Sequence, residues 1–478
     1  MTKEERQLKK RDMILNGNIL KTIIVISLPI LFYNVCNYLY GIYDMMIVQV
    51  AHIGEAADVV ILDQIKNMIQ TLGGAIATGG GILIAKKIGE KDIEGARKAS
   101  NTFFTIALII ASLTLLFIPL AVPFLQLLKT DKSTIDNALG YFNVQMVNLF
   151  IMTLNSCFIA IEKSKGNTFK IFILNLGVIA IKIGLTTLFA FGPFEGVTIT
   201  WLAVATLIAQ GFMMIIMVII SILPSNILRI TPRSLNLKKE YLLIILKLSL
   251  PVFIGRFLFH FGKVALNSMA TDHYGKTVVG ALGISNTMAG LPTNMINSFE
   301  DGGSTIVSQN YGAGNGRRIK RFYLINMILV STISLISVIV LFLLKEPVAK
   351  FFAGNDEEYR VIIVNIFKWE ILDVLFTGIA GASNAIFYGF AKTRITSVMS
   401  MVNLFGFRIP TIMLLMYVVH YNYEACGIAM FVSNTSAGLI TFTLCLIFML
   451  RIQKKEKYKP LFPPNELTTN ENNNTIVA

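Results

Sequence analysis

The chain repeats itself across its midpoint, and both copies of the repeat are written in long apolar segments. Ser27-Leu28-Pro29 opens one hydrophobic stretch, and Ser249-Leu250-Pro251 opens another 222 residues later. Farther on, Gly79-Gly80-Gly81 followed by Ala85-Lys86-Lys87-Ile88-Gly89 aligns with Gly302-Gly303-Ser304 followed by Ser308-Gln309-Asn310-Tyr311-Gly312, at an offset of 223. Basic residues follow each final glycine, Arg97 and Lys98 in the first copy, Lys320 and Arg321 in the second. A single recurring triplet would carry little weight, but three features in one order at nearly one spacing indicate an internal duplication. In a polytopic chain, duplication is the mark of a secondary transporter that holds its substrate between the halves.

With 54% hydrophobic and only 15% charged residues, 478 residues cannot supply the polar surface that a soluble fold of this size needs. Apolar runs of about 20 residues suffice to cross a hydrocarbon core of about 30 Å. Twelve such spans are predicted, centred on 20–50, 57–86, 100–127, 138–161, 168–191, 196–223, 243–270, 276–308, 321–344, 361–389, 395–419 and 425–450. The expected fold is therefore an all-α membrane protein with twelve transmembrane helices in two pseudo-symmetric six-helix bundles. Its predicted divisions are a leader (1–18), an N-terminal lobe (19–223), an inter-lobe linker (224–242), a C-terminal lobe (243–450) and a polar tail (451–478).

Cytoplasmic loops collect lysine and arginine. Basic clusters at Lys9 to Arg11, Lys86 to Lys91, Lys163 to Lys170, Arg229 to Lys239, Arg317 to Lys320, Lys392 with Arg394, and Lys454 to Lys457 fall in alternate segments. The intervening loops carry fewer, so both termini and the linker are predicted to be cytoplasmic in a multi-pass protein of the cell membrane. The same asymmetry accounts for the net charge of +14, whose dispersal over short loops argues against nucleic-acid binding. The charged segment from Met1 to Arg11 is expected to be a solvated or interfacial leader, since no cleavage site follows it. Cys36, Cys157, Cys426 and Cys445 lack CxxC spacing and are expected to be packing residues.

No enzyme chemistry has a home here. The nucleotide-binding pattern G-x-x-x-x-G-K-[ST], the zinc motif H-E-x-x-H and the nucleophile elbow G-x-S-x-G are all absent. Gly312 to Gly316 follows no strand and is expected to be a tight cytoplasmic turn. No cofactor is implied, and the energy for transport would come from a gradient of H+ or Na+.

Ionisable groups inside a membrane cost about 2.5 to 3.5 kcal/mol each and call for a partner or a water-filled cavity. In the first span Asn34, Asn37, Gly41 and Asp44 recur at spacings of three and four, one polar stripe on an apolar cylinder. The second repeats the pattern with Asp63, Lys66, Asn67 and Gln70, and the fifth aligns Asn175, Lys182 and Thr186. With alternating helix directions, the charges of Asp44, Asp63, Lys66 and Lys182 can meet at one depth in the outer half. In the C-terminal half, Arg256, His260, Lys263 and Asn267 share a face of the seventh span, Glu300 and Asp301 sit in the eighth, and Glu370, Asp373 and Thr377 share a face of the tenth. These basic and acidic stripes are expected to pair across the bundle. Asp44, Lys182, Asp63, Lys66, Asp373 and Glu370 are the candidates for ion coupling. Asn34, Asn37, Asn67, Gln70, Asn175, Thr186, His260, Lys263 and Glu300 are the candidates for a substrate cavity. The competing reading is that the charges form buried pairs that fix helix packing, and His260 as a proton carrier stays open beside a packing role. Gly73, Gly74 and Gly79 to Gly81 suit close helix contact rather than binding.

The chain resembles the multidrug and toxic compound extrusion (MATE) family over nearly all of residues 15 to 450. The resemblance is carried by Ser27-Leu28-Pro29 with Tyr43-Asp44 beyond it, the Gly80 to Gly89 segment before Ala96-Arg97, and the run from Ser308 to Gly314. It implies a cytoplasmic-membrane antiporter of two six-helix lobes, expelling amphipathic, often cationic compounds in exchange for protons or sodium. It also implies that Asp44 belongs to a cation-coupling centre and that Asp373, with Glu370 as neighbour, hosts a second. Many members carry Asn and Asp four apart in the fifth helix, where this chain has Lys182 and Thr186. A fixed ammonium beside Asp44 would repel sodium, so protons are the favoured coupling ion. Asp44 and Lys182 are then expected to form a proton-responsive switch. Two other functions stay open, a flippase for a lipid-linked oligosaccharide or polar lipid and a membrane sensor or scaffold without transport. The expected partners are a small amphipathic substrate and membrane lipid, and the sequence is silent on oligomerisation.

Overall fold

A computed structural model describes residues 3–50, 56–123, 132–193, 198–224 and 226–454. Helices fill almost all of it, and no strand occurs among the described residues. A short helix α1 (Lys3–Asn16) precedes α2 (Ile19–Val50), α3 (Ala56–Gly89), α4 (Ile93–Thr114), α5 (Lys132–Ser164), α6 (Thr168–Phe191) and α7 (Ile199–Ile222). The second half holds α8 (Lys239–Tyr274), α9 (Lys276–Gly312), α10 (Gly316–Ala353) and α11 (Glu357–Gly389). It ends with α12, which starts as Thr393–Met401 and widens into π-turns at Val402–Arg408 and Leu414–Val418, and with α13 (Ala425–Lys454). Pro29 and Pro251, which open the two repeats, lie inside α2 and α8. Neighbouring helices make such interruptions tolerable in a membrane.

Among the described residues, ten helices are long and apolar enough to span a membrane; α9 and α11 are not in that set. Both are too polar. Ser285, Asn294, Ser298, Glu300 and Asp301 lie on α9, and Lys368, Glu370, Asp373 and Asn384 on α11. Their surroundings explain why they are helices nonetheless. The two pack most extensively on each other, α9 is further flanked by α2 and α3, and α11 by α10 and α13, so other helices rather than lipid face their polar groups.

Duplication is visible in the backbone. Four inter-helix turns end on a left-handed residue: Lys91 (φ 65°), Gly166 (φ 76°), Gly314 (φ 74°) and Ala391 (φ 58°). In each, the next N–H reaches back five residues. Asp92 donates to the Lys87 carbonyl at 3.1 Å, Asn167 to Glu162 at 2.9 Å, Asn315 to Asn310 at 2.8 Å and Lys392 to Phe387 at 2.7 Å. These are Schellman-type helix ends, and Gly166 and Gly314 occupy the position where lacking a Cβ is an advantage. The α3–α4 turn corresponds to the α9–α10 turn, and the α5–α6 turn to the α11–α12 turn. The Gly312 to Gly316 segment is thus a turn, as its composition predicts.

The halves meet along a seam in which four glycine contacts form two sets with the partners exchanged. A Cβ on Gly79 of α3 would lie 2.2 Å from Ser249 Oγ of α8, and a Cβ on Gly302 of α9 would lie 2.2 Å from Ser27 Oγ of α2. Nearly three turns beyond, Gly89 abuts the Gln309 carbonyl and Gly312 abuts the Lys86 carbonyl, with 2.1 and 2.2 Å left for a side chain. Reciprocity of this kind is what a two-fold axis imposes on an isologous interface. Lys163 pairs with Asp301 across the seam at 3.3 Å, and Gln309 Nε2 donates to the Ser164 carbonyl at 2.7 Å. A cavity of about 20 Å³, room for a water molecule, lies between Thr78, Lys163, Asp301 and Ser308.

Helix α1 leaves Lys9 and Asp12 exposed, and its last turns are docked over the seam. Arg11 donates to the terminal carbonyls of α3, Nε to Ile88 at 2.9 Å and Nη2 to Gly89 at 2.8 Å. The Ile14 carbonyl accepts from Asn310 Nδ2 at 3.3 Å and Arg318 Nε at 3.0 Å in the other half. The reason lies just past the charged stretch, where Ile14 and Leu15 are buried in the core. The linker leaves the seam alone and folds onto α4, where the Ile227 carbonyl accepts from Arg97 and Asn236 from Thr102. Cys157, Cys426 and Cys445 are buried and unbonded, and Cys36 is half-buried.

The seam yields a prediction. Gly89→Val and Gly312→Val each place side-chain atoms where a carbonyl now sits, so either is expected to hold this end apart. Spin labels on the exposed positions 97 and 320 should then lie several ångström farther apart than in the parent protein. Gly184→Ala, which meets nothing within 4 Å, should leave the distance unchanged.

Candidate functional site

The polar stripe of α2 meets that of α6 near the end of α2 remote from α1. Lys182 Nζ lies 3.2 Å from Asp44 Oδ2, and the same ammonium stands 3.7 Å from the centre of the Tyr40 ring. Tyr40 is one turn before Asp44 on α2, and Thr186 is one turn after Lys182 on α6. The Tyr40 hydroxyl therefore reaches both helices, hydrogen-bonding Asp44 and lying 3.0 Å from Thr186 Oγ1. Tyr43 and Thr187 repeat the link at 2.6 Å. Tyr40 and Thr186 are buried, whereas the Asp44 and Lys182 side chains retain 27% and 16% of their exposure, so the ion pair is not sealed within the protein.

The other N-terminal candidates are dispersed. The backbone of Asp63 belongs to α3, but its side chain lies outside the described residues. Lys66 and Gln70 are half-buried and Asn67 is exposed, and of the predicted four-charge cluster the described side chains include the Asp44–Lys182 pair. Asn175 is buried with its amide on the Ile171 carbonyl of its own helix, 2.8 Å away. Asn34 spans the seam to Ser298 Oγ at 2.9 Å, and Asn37 is exposed.

In the second half the acids are deeper. Glu370 and Asp373 are 1% and 5% exposed. Asp373 accepts from Asn434 Nδ2 at 2.8 Å and from Thr377 at 3.4 Å, while Glu370 makes no hydrogen bond among the described residues. The Asn434 carbonyl in turn accepts from Arg408 Nη2 at 2.9 Å and Asn403 Nδ2 at 2.9 Å, and Arg408 Nε donates to Ser433 at 3.0 Å. Asn434 thus relays a buried guanidinium to a buried carboxyl. Arg408 closes the π-turn Val402–Arg408, whose extra width sets its register towards α13.

Between the stripes of the seventh, eighth and tenth spans, no ion pair within 4 Å joins Arg256, His260 or Lys263 to Glu300, Asp301, Glu370 or Asp373 among the described residues. Helix α8 packs mainly on α3 and α12. Yet Arg256 feels the charges of Glu300 and Asp301 and hydrogen-bonds Tyr388 of α11, and Lys263 feels that of Glu370, so the stripes face one another without closing into direct pairs. Asp301 instead takes Lys163 from the other half, Glu300 lies 3.3 Å from the Asn384 amide, and Arg256 lies against Gly74 of α3. Three residues that sequence reading passed over carry these sites. Arg408 is an arginine inside an apolar span, which by itself flags a site. Asn434 and Tyr40 carry no such flag, since only folding brings them to Asp373 and Lys182.

Comparisons with known proteins identify the fold and the family. A multidrug export protein, MepA, from Staphylococcus aureus (strain NCTC 8325 / PS 47) is 21% identical over 306 residues, covering 63% of this chain and 66% of that protein. A probable multidrug resistance protein, YoeA, from Bacillus subtilis (strain 168) is 22% identical over 307 residues, 62% of this chain and 65% of its own length. The chain thus spans just under two thirds of these relatives. Among solved structures, a MATE bound to MaL6 superposes with a TM-score of 0.86 at 19% identity, covering 93% of this chain and 99% of the other. A multidrug resistance MATE transporter in an outward-facing conformation gives 0.85 at 19% identity, with 93% and 98% covered. These likenesses show a shared helical fold. The MatE family model matches residues 29–188 and 251–414, two segments that begin at the repeated prolines. With more than half of its length matched, the chain belongs to the MatE family, whose members are transporters and not enzymes.

Proposed function

We propose that α2 to α13 cross the cell membrane as two six-helix lobes, residues 19–223 and 243–450 joined by 224–242, with both termini cytoplasmic. The chain exports amphipathic organic compounds in exchange for protons. The names of the relatives, the duplicated helices and the ion pair of Asp44 with Lys182 support this reading. That ion pair carries it.

Asp44 already has a cation. Lys182 satisfies its charge, Tyr40 fills a further acceptor site, and a sodium ion would have to displace an ammonium tethered at 3.2 Å. A proton has no such competitor. Its arrival on Asp44 removes the attraction between that carboxylate and Lys182, so α2 and α6 lose a direct ionic link. The first helix is then free to shift and narrow the space between the lobes, driving substrate outward. Loss of the proton to the other side restores the pair. In the second lobe Arg408, joined to Asp373 through Asn434, is likewise a resident cation where an external one would otherwise be required.

The proposal has two direct consequences. In proteoliposomes with an imposed pH gradient, Asp44→Asn should slow dye export by about tenfold or more, a barrier change of about 1.4 kcal/mol. Undiminished proton-driven export by this variant would remove the switch. Lys182→Asn takes away the resident ammonium and keeps Asp44. Its export is expected to become dependent on an imposed sodium gradient that leaves the parent unaffected, and sodium indifference in both would refute the competition argument.

A second reading is a flippase for an anionic polar lipid. Arg256 and Lys263 support it, since both are cations of the α8 face with no carboxylate within 4 Å among the described residues. Measuring transfer of a fluorescent lipid alongside dye in the same vesicles separates the two readings.

A further inference from the structure

We propose that the second half binds the phosphate of an anionic phospholipid in the cavity between α8 and the turn that joins α11 to α12. The cavity measures about 200 Å³ and is lined by Lys247 and Leu248 of α8 and by residues 391–395, which include Lys392 and Arg394. All three basic side chains are exposed, and among the described residues none of them makes an ion pair or hydrogen bond. Three unneutralised cations around one crevice repel each other. An anion placed among them removes that cost.

The first half shows how the equivalent turn is completed when the protein supplies the anion. At Gly166-Asn167-Thr168, the Glu162 carboxylate binds Lys165, lies 3.6 Å from Lys170 and accepts from Asn167 Nδ2 at 2.7 Å. Thr168 Oγ1 then closes the crevice against α2 by donating to the Val25 carbonyl at 3.1 Å. The shared turn geometry, Gly166 matching Ala391 and Asn167 matching Lys392, sets the correspondence. It places Phe387 where Glu162 stands, a lysine where Asn167 stands, and Thr393 where Thr168 stands. The acid is gone, its two lysine partners Lys165 and Lys170 give way to Phe390 and Ile395, a lysine is added at 392, and among the described residues no hydrogen bond from Thr393 ties the turn to α8. What remains is an open basic cavity without a carboxylate, at the place where the other half holds Glu162 and is shut.

Lipid, rather than a soluble anion, fits the surroundings. Leu250 and Ile254 continue along α8 on the same stripe as Lys247, and Val398 lies one turn past Arg394 on α12; they are 57%, 41% and 54% exposed. The cavity therefore opens at the head of an apolar groove that faces the membrane. A headgroup phosphate among Lys247, Lys392 and Arg394 leaves its acyl chains along that groove. Basic pockets between helices at the cytoplasmic face suit such headgroups. Assigning this end to the cytoplasmic leaflet rests on the membrane orientation proposed above, but the chemistry of the cavity does not.

The test is native mass spectrometry of the full-length protein in a neutral detergent, titrated with phosphatidylglycerol or phosphatidylcholine. The parent is expected to retain one phosphatidylglycerol more tightly than the rest. The triple variant Lys247→Gln, Lys392→Gln, Arg394→Gln should weaken that retention by about tenfold or more, with Lys392→Gln alone giving part of the loss. Equal retention by parent and triple variant, or equal retention of the two lipids by the parent, would overturn the proposal. So would displacement of the lipid by millimolar inorganic phosphate as readily as by phosphatidylglycerol, because the site would then take soluble anions. Dye export in phosphatidylcholine vesicles, expected to be the same for parent and triple variant, reports on the antiporter reading separately and verifies that the variant is folded.

Discussion

Two halves of one chain are held together here by backbone approaching backbone. In lipid there is little hydrophobic force between helices, so association depends on close packing and a few hydrogen bonds. Glycines at 79, 89, 302 and 312 permit that approach, and each contact has its partner with the halves exchanged. A seam made of two mirrored sets of contacts can open only by losing both. Small residues alone would let it slide, and the Lys163–Asp301 pair and the Gln309 to Ser164 hydrogen bond fix its register. Helix α1 breaks the symmetry, because there is one of it for two halves. By capping α3 through Arg11 and holding Asn310 and Arg318 through the Ile14 carbonyl, it spans the seam on one face only. Any motion that parts the halves at this end must release it.

The polar interior follows from the same arrangement. Because α9 lies between α2, α3 and α11, it can carry Glu300, Asp301 and a series of serines that no lipid-facing helix would tolerate. Each half then deals with its buried charge by supplying a fixed cation from the chain. In the first the ammonium of Lys182 touches the carboxylate of Asp44 directly. In the second the guanidinium of Arg408 acts on Asp373 through the amide of Asn434, which accepts from one and donates to the other.

Much of this was legible in the sequence because it depends on local periodicity. The duplication, the polar stripes of α2 and α6, and the turn at Gly314 follow from spacings of three, four and about 222 residues. The approach of Lys182 to Asp44 followed from placing both stripes at one depth. What the sequence left open depended on which helix neighbours which. The basic stripe of α8 was expected to pair with the acids of α11; Lys263 comes within electrostatic reach of Glu370, but α8 packs mainly on α3 and α12, and the cation joined to Asp373 comes from α12 itself. A π-turn decides where Arg408 points, and no sequence periodicity reports a π-turn. The docking of α1 was not legible because its charged beginning draws attention away from Ile14 and Leu15, which are buried.

Shared architecture has not kept the two halves chemically alike. Asp44 and Lys182 keep 27% and 16% of their side-chain exposure, whereas Asp373 and Arg408 keep only 5% and 3%. In this conformation the first-half pair keeps accessible surface, while Glu370 and Asp373 are enclosed by neighbouring helices. On the proton-coupled reading proposed above, that difference sets an order of events: protonation at Asp44 comes first, and the rearrangement it permits gives access to the acids of α11.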